Sequence, residues 1–418
     1  MSLASVPVEF VLFGLTLLGV AVLHARALEV AAAGLGAIVV YKLLATGFDG
    51  MAGLPGLVAH LGREWAVLAN LGLLLLGFTV LSRHFEESHV PRRLPDLLPD
   101  DWRGAFLLLV LVFVLSSFLD NIAAALIGGT VAKSVFRDRV HVGYVAALVA
   151  ASNAGGSGSV IGDTTTTMMW IDGVSPVSVL HAYVAAGVAL VVCGIPAALQ
   201  QQRFSPIVAS DAAHLAIDWP RVAIVALILA AAIAANVFGN LRLAQYTHHV
   251  PFIGLAIWGA ILLTAGWRRP DWPALPGAVR GTVFLLCLVT AASMMPVEQL
   301  PPASWHSAFG LGFVSAVFDN IPLTKLALEQ GGYDWGMLAY TVGFGGSMIW
   351  FGSSAGVALS NQYPETRSAV AYVKSGWHVA VAYIVGFFIL LGTLGWSPTP
   401  KRSDLQKSEI PVVQMVEK

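Results

Sequence analysis

The 418-residue chain has a net charge of −1, 57% hydrophobic and only 11% charged residues, and a mean hydropathy of +0.75. Such a balance excludes an ordinary soluble domain and offers no basic face for nucleic acid. The class that fits is an all-α polytopic membrane protein, because barrel strands would be about half the length of the apolar runs here and would alternate.

The first run, Val11 to Leu23, follows no basic stretch and ends at no small-residue cleavage site, so it is expected to be a first span rather than a signal. Ala66 to Leu81, Val177 to Leu199 and Ala380 to Leu394 also approach the roughly 20 residues a helix needs to cross hydrocarbon. Basic residues mark the loops: Arg83, Arg92, Arg93 and Arg103; Lys133, Arg137 and Arg139; Arg203 and Arg221; Arg268, Arg269 and Arg280. The positive-inside rule puts all four loops in the cytoplasm. The first two share a side only if residues 104–134 enter the membrane and turn back, as a re-entrant hairpin with Asp120-Asn121 near its tip. The loops flanking residues 303–330, Glu298 to Pro302 and Gly331 to Asp334, carry no Lys or Arg, so a second hairpin should enter from the opposite face. Lys401, Arg402 and Lys407 in the tail then fall on the outer side, against the charge rule.

The two hairpins share a sequence. Asp120-Asn121-Ile122 follows Ser116-Ser117-Phe118-Leu119, and Asp319-Asn320-Ile321 follows Ser315-Ala316-Val317-Phe318. Carboxylates are among the most expensive groups to place in a bilayer, so intramembrane acids are functional candidates by default. Downstream, Asn153-Ala154-Gly155-Gly156-Ser157 leads to Gly162-Asp163 and Thr164 to Thr167; Gly343-Phe344-Gly345-Gly346-Ser347 leads at the same spacing to Gly352-Ser353-Ser354. Dense glycine is expected to break the helices over 141–171 and 335–361 by removing packing and permitting positive φ. The unwound chain is tolerable at membrane depth only where it lines a cavity or is buried in protein. The expected organisation is two inverted repeats, 1–200 with the N-terminal span and 250–396, joined by a linker and connecting span over 201–249 and followed by a polar tail over 397–418. The count gives about ten crossings around a midplane site.

The stretches Ser116 to Ile122, Asn153 to Trp170 and Ser315 to Thr324 resemble the signatures of NhaD-type sodium/proton antiporters, within the ion transporter superfamily that includes arsenite permeases and dicarboxylate carriers. The resemblance implies a scaffold part, and a transport part holding both tips and both broken helices. It also implies an elevator-like homodimer, multi-pass in the bacterial inner membrane, that carries Na+ or Li+ against H+ without a cofactor. Residue by residue it points to Asp120, Asn121, Asn153, Asp163, Thr164, Thr165, Asp319 and Asn320, with Ser353 standing where the first copy has Asp163.

The residues support a cation independently. Hard cations take oxygen from carboxylates, amides, hydroxyls and carbonyls, and the three acids with Gly155, Gly156, Gly345, Gly346, Ser347 and Ser353 supply these. Burial makes a carboxylate hold its proton and a nearby cation loosens it, so sodium at Asp120, Asp163 and Asp319 should compete with protons.

Structural roles compete with these assignments. The three acids are also expected N-caps, and the glycines suit close helix packing. Lys325 is expected either to neutralise Asp319 or to snorkel. His24, His181 and His378 read as core histidines, and His248-His249 shows no metal pattern. Met168-Met169-Trp170, Cys193 and Cys287 read as packing. The functional alternatives are an anion or oxyanion permease on the same architecture and, remotely, an intramembrane aspartyl hydrolase. The hydrolase would want Gly-x-Gly-Asp where the chain has Val160-Ile161-Gly162-Asp163. No phosphate-binding Gly-x-x-x-x-Gly-Lys loop is present, so transport should draw on an ion gradient.

Overall fold

The computed structural model describes residues 7–400 apart from 24–25, 49, 91–97, 208–215, 244–245 and 247–248. His24, His248, Arg92, Arg93, Lys401, Arg402 and Lys407 lie outside the described residues. Among the described residues every regular element is helical, with one isolated bridge between Phe48 and Met51.

In chain order, α1 (Val8–Val22) and α2 (Ala27–Tyr41) precede a π-helical turn, Lys42–Thr46, and α3 (Gly53–Glu87). At 35 residues α3 is about 50 Å long. Next come α4 (Trp102–Ser116), α5 (Asn121–Val135), α6 (Val142–Ser157), α7 (Thr164–Ile171), the short α8 (Pro176–Leu180) and α9 (Ala182–Phe204). Then follow α10 (Trp219–Arg242), α11 (Phe252–Thr264) and α12 (Leu275–Ser293). The chain closes with α13 (Trp305–Ser315), α14 (Asn320–Gln330), α15 (Trp335–Gly345), α16 (Ser354–Gln362), the short α17 (Ala369–Ser375) and α18 (Trp377–Leu394). Among the described residues five stretches are long and apolar enough to cross a membrane by length and composition: Ala27–Thr46, Gly53–Glu87, Pro176–Phe204, Trp272–Ser293 and Trp377–Leu394.

Packing sorts the helices into two groups. In one, α3 lies against α10, α11 and α12, while α12 also meets α2, which pairs with α1. Its apolar cores are built from residues such as Phe78, Ile228 and Ile257, and Phe13, Ile38 and Leu288. In the other, α9 packs on α18, α6 and α4, and α13 on α15. Small residues set the density there: every residue of α6 and α15 from Gly143 to Ser157 and from Trp335 to Gly345 is buried. Large side chains such as Val11, Leu15, Leu263 and Phe388 point outward elsewhere, as expected of helices with apolar surroundings on both sides.

Candidate functional site

Each hairpin turns in four residues, 117–120 and 316–319, and its second helix begins at the repeated acid. Asp120 and Asp319 are N-caps with matching backbone, φ −53°, ψ 139° and φ −54°, ψ 137°. The backbone amide of Ile122 donates to Asp120 Oδ2 at 3.3 Å, and that of Ile321 to Asp319 Oδ1 at 3.0 Å. A cap of this kind contributes about 1 kcal/mol. Capping uses one oxygen of each carboxylate. Ser354 Oγ donates to the other oxygen of Asp319 at 3.2 Å, whereas Asp120 Oδ1 is buried without a protein partner.

The broken helices come apart at 158–163, between α6 and α7, and at 346–353, between α15 and α16. Asp163 and Ser353 cap the second halves, Asp163 Oδ1 accepting from the Thr165 amide at 3.0 Å and Ser353 Oγ from the Gly356 amide at 3.2 Å. The expected reason for the glycines needs correction. None of Gly155, Gly156, Gly162, Gly345, Gly346 and Gly352 has positive φ. They are small because backbone passes against them: a Cβ on Gly155 would strike the Phe113 carbonyl and one on Gly345 that of Gly312. Equally, a Cβ on Gly162 would strike the Ser116 carbonyl and one on Gly352 that of Ala316. Ser116 Oγ donates to the Ser152 carbonyl at 2.5 Å and Ser315 Oγ to that of Val342 at 2.7 Å, so each hairpin is stitched to its own broken helix in the same manner. The Gly155 carbonyl accepts from Ser117 Oγ and Tyr183 Oη, both at 3.2 Å, so the protein itself engages that oxygen.

The four segments interlock crosswise, α5 lying against α16 and α14 against α7. At the crossing, Asn121 Nδ2 donates to Asn153 Oδ1 at 3.1 Å, and Asn153 Nδ2 donates to Ser347 Oγ at 2.9 Å and Ser353 Oγ at 3.0 Å. The counterpart of Asn153 in the second copy is Gly343. A Cβ there would lie 3.7 Å from Asp163 Oδ2, which is buried without a protein partner, as are Asn320 Nδ2 and Thr165 Oγ1. Asp163 lies within electrostatic reach of both tip acids. Among the described residues no three His, Cys, Asp or Glu converge as a metal cluster, so a cation bound here would draw on amide, hydroxyl and carbonyl oxygens as well.

Asp120, Asn121, Asn153, Asp163, Thr164, Thr165, Asp319, Asn320, Ser347 and Ser353 thus belong to one crossing of four segments. Thr166 and Thr167 fasten the unwound strand instead, donating to the Ser159 carbonyl at 2.6 Å and that of Val160 at 2.9 Å. Lys325 does not pair with Asp319: it is 2% exposed and its Nζ lies 2.8 Å from Glu64 of α3 and 2.5 Å from Glu329. One turn along a helix brings it to Glu329, and packing against α3 brings Glu64. His378 is fully buried but His181 is exposed and so not a core histidine; Met168, Met169 and Trp170 are core, while Cys193 and Cys287 are free thiols. Sequence reasoning missed Ser354, Glu64 and the meaning of Gly343. The aligned repeats already displayed Gly343 opposite Asn153.

Comparison with known proteins gives concordant relatives. The chain is similar to sodium/proton antiporter 1 of Arabidopsis thaliana, 27% identical over 59% of this chain and 48% of that protein. Sodium/proton antiporter 2 of the same plant is 26% identical over 59% of this chain and 66% of its own length. The Na(+)/H(+) antiporter NhaD of Vibrio parahaemolyticus is 26% identical over 60% and 71%. The match therefore spans about half of the first relative and about two thirds of the second. The profile of the citrate transporter family, CitMHS, matches residues 8–345. With that much of its 418 residues matched, the chain belongs to the citrate transporter family, whose members are membrane transporters rather than enzymes.

Proposed function

We propose that this chain is a secondary transporter that exchanges Na+ or Li+ for H+ across a bacterial cell membrane. The observation carrying the reading is that Asp163 lies within electrostatic reach of both Asp120 and Asp319, each acid beside amides or hydroxyls and none paired with a Lys or Arg among the described residues. Carboxylates left without a basic partner in such a place attract either a proton or a metal cation. Deprotonated, the acids take sodium; protonated, they are neutral and release it. Alternation of access between the two sides then suffices for exchange. A citrate-like anion, which the family description brings to mind, would find carboxylates and no basic partner at the tips.

In this reading α4–α9 and α13–α18 carry the cation as a unit past α1–α3 and α10–α12, and the latter group holds a homodimer together. The hairpins enter from opposite faces as halves of an inverted repeat. Single cysteines at Ser134 and Gly332 should accordingly react with an impermeant reagent from opposite sides, and same-side labelling would contradict the inversion. The function itself is tested in inverted vesicles energised to an acidic lumen. Sodium and lithium, and not potassium, arsenite or citrate, should dequench a pH dye; a response to none of the cations sinks the proposal.

A further inference from the structure

Between the two helix groups lies a cavity of about 850 Å³ that reaches both tip acids. Sodium with half a dozen waters, at about 30 Å³ each, would occupy about 180 Å³. The space is instead that of an organic ligand, for which pockets run to about 300–1,000 Å³. Its walls are mostly apolar and partly aromatic, with Leu75 and Phe78 from α3, Phe284 and Leu285 from α12, Phe318 from the second tip and Phe351 from the unwound strand.

Charge decides which organic ligand. Two cationic side chains line the cavity and both are compensated: Arg83 lies 2.8 Å from Glu86 and 3.2 Å from Asp271, and Arg280 lies 2.8 Å from Glu29. Asp120 and Asp319, which also line it, have no basic partner among the described ion pairs. The uncompensated charge facing the space is therefore negative, and aromatic faces beside it favour a cation further.

We infer that this cavity binds lipophilic organic ammonium ions, the ammonium at the tip carboxylates and the apolar body along the phenylalanines and leucines. The inference rests on the proposed cation affinity of the tips and extends it from alkali ions to amines. An amine so seated occupies the acids that sodium needs, and the two must compete.

The probe is 4-phenylbutylammonium, with 4-phenylbutanol and 4-phenylbutyrate as its neutral and anionic isosteres. Purified protein should be stabilised against heat by the ammonium at concentrations about tenfold below those needed with the alcohol, the order of one charge-assisted hydrogen bond. The butyrate should not stabilise at all, and sodium should displace the ammonium competitively. Gly281 and Gly277 line the cavity and a Cβ on either meets nothing within 4 Å, so Gly281→Trp and, as a milder filling, Gly277→Leu should weaken the ammonium effect. Equal effects of all three probes, an effect of none, or stabilisation indifferent to both fillings and to sodium would overturn the inference. Binding is read without exchange, so amine binding by a chain that moves no sodium would leave this site standing while removing the antiport reading. Sodium exchange untouched by the amine would do the reverse.

Discussion

In the first broken helix position 153 is an asparagine and position 163 an acid; in the second, the corresponding 343 is glycine and 353 serine. The breaks themselves are alike, down to the carbonyl that passes each glycine and the serine that ties each hairpin to its helix. Their polar contents differ. Asn153 fills its half by bonding Asn121, Ser347 and Ser353, whereas Gly343 has no side chain to offer, and the groups on that side, Asn320 Nδ2 and Asp163 Oδ2, are left without protein partners. The two breaks thus share their backbone arrangement and differ in their polar contents: the groups around Asn153 bond one another, whereas Asp163 Oδ2, beside Gly343, has no protein partner.

The comparison can be broken at Asp163. Asp163→Asn keeps the volume and an oxygen for the Thr165 amide but removes the exchangeable proton; it should abolish sodium-driven proton release in vesicles while the protein stays folded. Retained exchange would make the acid a cap and nothing more, and would erase the difference between the halves.

Titration gives the next largest effect. Where sodium and one proton compete for the acids, apparent sodium KM should fall by up to about tenfold per pH unit while the site is protonated, then level off once it is not. The sign follows from charge, since protonation removes the strongest attraction for the cation. A KM independent of pH across the active range would require separate sodium and proton sites.

The smallest effect sharpens the picture most. A methyl at Gly343 would sit 3.2 Å from Ser157 Cβ and 3.7 Å from Asp163 Oδ2, tight but accommodable. Gly343→Ala should therefore reduce the room beside Asp163 and shift the lithium-to-sodium ratio of KM values toward lithium by about threefold, a fraction of a tenfold step. An unchanged ratio would place the cation elsewhere.

Much of this was legible in the sequence, and for identifiable reasons. Membrane helices advertise themselves through composition, because apolar length is a local property, and the breaks through glycine repeated at fixed spacing. The acids were visible because nothing structural obliges a membrane segment to carry them. What escaped were relations between distant segments. Lys325 was seen beside Asp319 along the chain, yet it pairs with Glu329 one turn on and with Glu64, 261 residues away. Positive φ was expected of glycines whose actual task is to let another strand's carbonyl pass, a demand set by the neighbour and invisible in the residue's own surroundings. The role of Gly343 is a missing contact, and a missing contact has no signature except by comparison with its twin.

Both tip acids close the N-terminus of their own half-helix, whose exposed amides carry roughly half a positive charge. Such an end, left to itself, is an anion site. Here the chain's own carboxylate already answers it, so the field that would draw in a negative guest is spent on the cap, and what remains outward is negative. Under the proposed reading the polarity of the cargo is in this way lodged in two short side chains, while the helix ends that present them would suit either sign.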